Sequence, residues 1–274
     1  MKLRSIFKFL QFFCLLCLIQ FSFAAPDIIY VYSDLGAAPI GLQSLKDGLG
    51  KLITKKYKIK EIRAADIVAG RWKKDAILLI MPGGASSYYC KYLNGEGNKQ
   101  IQEYVSNGGA FLGICAGAYF ATKHVEFAKD EAYSTVCERE LALFKGKIEG
   151  PSFLPFSYGS HFGTRAVPQV LSDGFTFRVY YKGGGHFHDV ERIEGAQILG
   201  NYEDGRVSII KVPYGKGVVI LSNVHFEMDY KMFPNDNKYL MAVAPELEEN
   251  DDKRMIVFAR MLNYLGIETQ NLVN

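Results

Sequence analysis

Two uninterrupted apolar runs, Ala76 to Met81 and Ala110 to Ile114, each end in a turn of very small residues, and this constrains the chain more than any other feature. A strand that is apolar at every position has no face to show to water, so both of its faces must be covered. Segments of strand and helix periodicity alternate around these runs. Ile28 to Tyr32 reads as a strand, Leu42, Leu45, Leu49, Leu52 and Ile53 recur at helical spacing, and Tyr57 to Ile62 alternates as a second strand. Ile101, Tyr104 and Val105 mark a helix that stops at Asn107, Gly108 and Gly109. Strand, helix, strand repetition predicts an α/β fold with a parallel sheet covered on both faces. In such sheets ligands bind outside the carboxyl ends of the strands.

From Glu126 to Gly185 the pattern weakens, with Pro151, Pro155, Pro168 and many glycines and aromatics, and an insertion of loops and short antiparallel strands is expected there. Regular strands return at Gln197 to Tyr202, Val207 to Val212 and Val218 to Leu221, with Tyr214 to Gly217 as a hairpin turn. A last helix carries Met255, Phe258, Leu262 and Leu265 on its apolar face, with Asn250 as its expected cap and Asp251 and Asp252 in its first turn. The acidic cluster from Glu246 to Asp252 reads as solvated surface. No repeat, low-complexity tract or linker interrupts the chain, so one domain is expected over residues 25–274.

Residues 1–24 read as a signal peptide. Lys2, Arg4 and Lys8 precede an apolar stretch from Phe9 to Phe23, and Ser22 and Ala24 are the small residues a signal peptidase accepts, so cleavage is expected after Ala24. The stretch is shorter than the ~20 apolar residues of a spanning helix, and no stable membrane insertion is expected after cleavage. The formal charge of +3 falls to zero when those three basic residues leave. A neutral chain without a basic stripe argues against nucleic acid and for a small-molecule or peptide substrate. Three cysteines then remain, Cys90, Cys115 and Cys137, an odd number for an oxidising compartment. Pairing of Cys90 with Cys137 is one outcome export would allow.

Gly113, Ile114, Cys115, Ala116, Gly117 is a small-x-nucleophile-x-small run placed between a buried strand and an expected helix from Ala118 to Lys123. A strand-to-helix elbow strains the nucleophile's backbone, and minimal neighbours let the turn close. The bland alternative is a buried cysteine in a tight packing turn. Attack on a carbonyl also needs an oxyanion site, for which the amides of Ala116 and Gly84 are candidates, and a base. His225 follows the strand Val218 to Leu221, and Glu227, two residues on, shares its side of an extended segment, so the glutamate can steady the imidazole while the imidazole addresses Cys115. His186 and His188 also share a face, but no third ligand is spaced nearby, so no metal is expected, and no cofactor either.

With Met81 to Ala85, Tyr89 to Asn98, Gly113 to Tyr119, Tyr180 to Phe187 and Ile198 to Glu227, the chain resembles the class I glutamine amidotransferase-like superfamily, and more narrowly the amino-terminal domain of biotin-protein ligases. The resemblance implies a three-layer αβα sandwich with a flavodoxin-like, mostly parallel sheet, and a Cys115, His225, Glu227 triad in that order. It also places Gly83, Tyr119 and Cys90 as substrate-binding candidates. Three departures from the pattern stand out. Phe226 occupies the place of the usual proline between histidine and glutamate. Tyr119 stands where amidotransferases place a glutamine-binding Gln, so weak glutaminase activity is expected. The sequence holds no glycine- and arginine-rich adenylate loop, so biotin ligation is not expected. The reading is an exported Cys-dependent amide or ester hydrolase, with a non-catalytic binding module and a redox protein using Cys90, Cys115 and Cys137 as alternatives.

Overall fold

The computed structural model describes residues 25–129 and 131–270, so the expected signal segment and its cleavage point after Ala24 lie outside the described residues. Strands β1 (Ile28–Tyr32), β2 (Lys58–Ile62), β3 (Ala76–Met81) and β4 (Ala110–Ile114) alternate with helices α1 (Pro39–Leu52), α2 (Ala64–Ala69), α3 (Ser86–Leu93) and α4 (Glu96–Ser106). Helix α5 (Ala116–Ala121) leads into β5 (Thr122–Phe127), β6 (Thr135–Glu138), β7 (Phe144–Gly150), β8 (Arg165–Leu171), β9 (Thr176–Tyr181) and β10 (His186–His188). Strands β11 (Gln197–Tyr202), β12 (Val207–Tyr214) and β13 (Gly217–Ser222) and helices α6 (Lys238–Glu248) and α7 (Asp251–Tyr264) complete the order.

The strands form one sheet, in the order β2-β1-β3-β4-β13-β12-β10-β7-β5-β6, with β11, β8 and β9 branching from β12. From β2 to β13 every pairing is parallel. Side chains along these strands alternate between two cores, as the pleat requires. Leu78 and Ile80 of β3 face one core and Leu79 and Met81 the other. The first core is closed by Leu45, Leu49 and Leu52 of α1 with Val257, Phe258 and Met261 of α7, and the second by Ile67 of α2, Tyr89 of α3 and Ile101 of α4. This is the expected three-layer arrangement. Gly48 lets α1 and α7 meet, since a Cβ there would lie 2.8 Å from the Phe258 ring.

The stretch after Glu126 is not an insertion apart. It extends the same sheet, with β5 parallel to β7 and β7 joined to β12 through β10. Its strands are mostly half-buried without a uniform alternation, and the glycines and prolines in and between them mask their period. Helix α5 begins and ends two residues earlier than expected: Thr122 is already extended, and its Oγ1 donates to the Ala118 carbonyl at 2.8 Å as β5 begins. Helices α2, α3 and α6 were not apparent from periodicity, and α6, capped by the Asn237 side chain, contains Pro245 and takes in the start of the acidic cluster. Asn250 does not cap α7 with its side chain. Its carboxamide instead accepts from the Arg178 amide and donates to the Glu246 carbonyl, both at 3.0 Å, tying the α6 end to β9. Among the described residues no helix is long and apolar enough to cross a membrane.

Candidate active site

Cys115 is the residue at which β4 turns into α5, and its backbone is at φ 48°, ψ −101°. Positive φ in a non-glycine residue costs on the order of 1–3 kcal/mol and persists only where the surroundings impose it. Here the Cys115 amide donates to the Ser222 carbonyl of β13 at 2.7 Å, and the Cys115 carbonyl accepts from the Tyr119 amide at 3.0 Å. The flanking glycines allow the turn to close. A Cβ on Gly117 would lie 2.1 Å from the Met81 carbonyl oxygen, and one on Gly113 would lie 2.8 Å from the Gly117 backbone.

Parallel pairing of β13 with β4, Ser222 opposite Ile114, makes the segment leaving β13 emerge beside Cys115. The His225 amide donates to the Tyr180 carbonyl at 3.0 Å, and the Tyr180 ring meets the imidazole edge-on at 5.3 Å between centroids. His225 Nδ1 is 2.7 Å from Glu227 Oε1, and both side chains are buried. Burial opposes charge on the imidazole, but the Glu227 carboxylate and the Cys115 sulfur, itself within hydrogen-bonding reach of the ring, outweigh it and hold His225 at about 10. Phe226 points the other way. Its ring packs on Phe258 of α7 at 5.4 Å, and Arg254 Nη1 donates to its carbonyl at 2.9 Å, so an apolar residue anchors the segment where proline was expected.

The turn after β3 is held by an isolated bridge to Ala37, in which the Ala38 amide donates to Gly83 and the Ala85 amide to Gly36. That pattern leaves the Gly84 amide out of the bridge. Gly84 itself sits at φ 147°, with a hypothetical Cβ 1.8 Å from the Gly36 oxygen, so only glycine fits. Gly84, Cys115, Ala116, Tyr119 and His225 line one cavity of about 470 Å³. Its aromatic wall includes Phe127, Phe156, Tyr158, Tyr180 and Phe233, and its charged residues are Arg139 and Lys182, with no aspartate or glutamate among the described lining residues.

Residues 28–274 match the family model described as biotin-protein ligase, N terminal. The chain belongs to this family. It is 29% identical over 251 residues to the biotin–protein ligase of Schizosaccharomyces pombe, a match covering 88% of this chain and 38% of that protein, so the chain spans well under half of that relative. An uncharacterized protein of Chlamydia muridarum is 34% identical over 208 residues, covering 73% of this chain and 80% of its own. Among solved structures, a β-galactosidase from Bacillus circulans sp. alkalophilus shares the fold alone, at TM-score 0.51 and 13% identity over 89% of this chain and 32% of that one.

In this biotin-protein ligase N-terminal domain, the other expected substrate contacts separate. Tyr119 reaches the cavity, but its hydroxyl donates to the Gly183 carbonyl at 3.2 Å and its ring packs on Phe127 at 5.4 Å. Gly83 lies under the His225 ring rather than in the cavity wall, and a Cβ there would sit 2.5 Å from Cε1. Cys90 is not in the wall either. Arg139 Nη1 sits 2.8 Å from its sulfur, and burial pushes the Cys90 thiol up despite that charge. Cys90, Cys115 and Cys137 are all free thiols. Sequence reasoning gave no role to Arg139, Lys182 or Tyr180. Tyr180 and Lys182 lie in the segment that carried the family resemblance, and Arg139 had no local signal, since only the fold brings it to the cavity.

Proposed function

We propose that this domain is a cysteine-dependent amide or ester hydrolase, exported by the amino-terminal signal pattern, acting on a small molecule or peptide with an apolar or aromatic portion and a carboxylate. The observation that supports this reading most is a strained Cys115 facing a buried His225 whose Nδ1 lies 2.7 Å from Glu227. Cys115 sulfur, as thiolate, attacks the carbonyl carbon, and the carbonyl electron pair moves to oxygen, which the amides of Ala116 and Gly84 would receive as the oxyanion site. Collapse expels the amine or alcohol, which takes its proton from His225. The resulting thioester is cleaved by water as neutral His225 removes the water proton, and the second collapse returns the thiolate and releases the acid. Glu227 orients the ring throughout and stabilises its positive charge. The substrate class follows from the cavity, whose rings suit a planar group and whose Arg139 and Lys182, unopposed by acid, suit a carboxylate.

The same lining would serve a module that binds such a carboxylate without turning it over, and this is the second reading. A panel of aryl and alkyl esters and amides, each with and without a carboxylate, separates the two. Turnover abolished by Cys115→Ala, with the highest kcat/KM for aromatic carboxylates, is expected; tight binding of the panel with no turnover would favour the module. Glutamine belongs in the panel as a negative. Tyr119 gives its hydroxyl to Gly183 and offers no carboxamide, so a matched polar contact worth ~1–3 kcal/mol is missing and little ammonia is expected.

A further inference from the structure

We propose that Glu149, His186 and His188 form a binding site for one divalent transition-metal ion of the zinc class, apart from the Cys115 cavity. Strand β10 alternates, so His186 and His188 stand on one face, and the antiparallel register with β7 puts Glu149 directly opposite His186 on that same face. One ligand atom from each residue lies within 4.8 Å of the other two. The third ligand that sequence spacing did not offer therefore comes from the neighbouring strand.

Three details point to a metal rather than a surface ion pair. First, His188 Nε2 is 3.3 Å from Glu149 Oε2, a spacing equal to the ~3.3 Å edge of a tetrahedron built with zinc-to-nitrogen and zinc-to-oxygen bonds of ~2.0–2.2 Å. Second, that same nitrogen is buried and makes no hydrogen bond, since its approach to Glu149 is not aligned for one. Third, His186 Nδ1 is 3.1 Å from Ser152 Oγ, so with its proton given to that hydroxyl the other ring nitrogen carries a free lone pair. Ligating histidines commonly use this outer contact to fix their tautomer.

Two imidazoles and a carboxylate suit zinc, cobalt, nickel or copper and not calcium or magnesium, which take oxygen ligands. Water would complete the shell. Lys147 Nζ, 2.9 Å from Glu149 Oε2, is the cation that the metal would displace, and its flexible stem lets it move aside toward Glu126, 3.6 Å away. A bound ion would clamp β7 to β10, which begins just after the Gly183 that lines the cavity.

The test uses purified, chelator-treated protein without a histidine tag, in a Cys115→Ala background so that the Cys115 and His225 pair cannot supply ligands. Cobalt(II) is titrated in while visible absorption is recorded, and zinc is then used to displace it. One equivalent of cobalt with the intense visible bands of a low-symmetry site is expected, displaced by zinc. Loss of an outer contact alone usually weakens a site by ~10–100-fold, so His186→Ala and Glu149→Gln should each weaken binding by at least that much. Their circular dichroism should match that of the parent, to show that the fold persists. No cobalt spectrum, or binding unchanged in both variants, would overturn the proposal.

Discussion

His225 carries a charge that its burial opposes and Glu227 restores, so removing the carboxylate has a signed consequence. In the folded chain the imidazole is held at about 10 against an ordinary 6.5. The protonated pair therefore stabilises the fold fully below about 6.5 and this contribution is lost as the pH rises toward 10. Turnover that needs the imidazolium as acid should fall only as the pH passes about 10, where the folded enzyme loses that proton. Glu227→Gln should move that alkaline limb to lower pH and lower kcat/KM by roughly 10²-fold, measured as a pH profile on the best ester of the panel. An alkaline limb that stays in place would mean that Glu227 does not act on His225. Gly83 gives a second test. Because a Cβ there would press on Cε1 at 2.5 Å, Gly83→Ala should push the ring off its position and cut turnover by at least ~10-fold while thermal unfolding changes little.

The segment between β13 and α6 is where element packing and site geometry meet. Phe226 is fully buried against Phe258 while His225 lines the cavity with Glu227 buried behind it, so one stretch serves the core and the site at once. Phe226→Ala should destabilise the chain by about 3–5 kcal/mol in denaturant unfolding with an unchanged slope, and a cost below 1 kcal/mol would show that this anchor is dispensable. The elements that positioned this stretch were legible in the sequence for a physical reason. Strands β3, β4 and β13 are buried on both faces and read as continuous apolar runs, and the elbow needs Gly113 and Gly117 for steric reasons visible in the letters. Helix α6 was hidden because Pro245 breaks the expected pattern, and β5 to β7 because they are half-exposed, with lysine, histidine or glutamate set among their apolar residues. Glu149 beside His186 comes from pairing register across the sheet, and Arg139 beside Cys90 from the packing of helix α3 against the segment after β6, neither of which local spacing encodes.

At the scale of the whole molecule, the parallel half of the sheet brings three strand ends together, with Gly84 after β3, Cys115 after β4 and His225 after β13, and the antiparallel half supplies the aromatic and basic wall. In the proposed reaction Cys115 forms a covalent acyl intermediate that His225 helps to resolve. It is tested most directly by mixing the protein with an activated aryl ester bearing a carboxylate, quenching in acid, and weighing the intact chain and its peptides. A burst of leaving group equal to the protein concentration is expected, with an acyl adduct on Cys115 that is absent in Cys115→Ala and accumulates in His225→Ala, where a histidine-free site still acylates slowly. No adduct on Cys115, or equal labelling of Cys90 and Cys137, would contradict it.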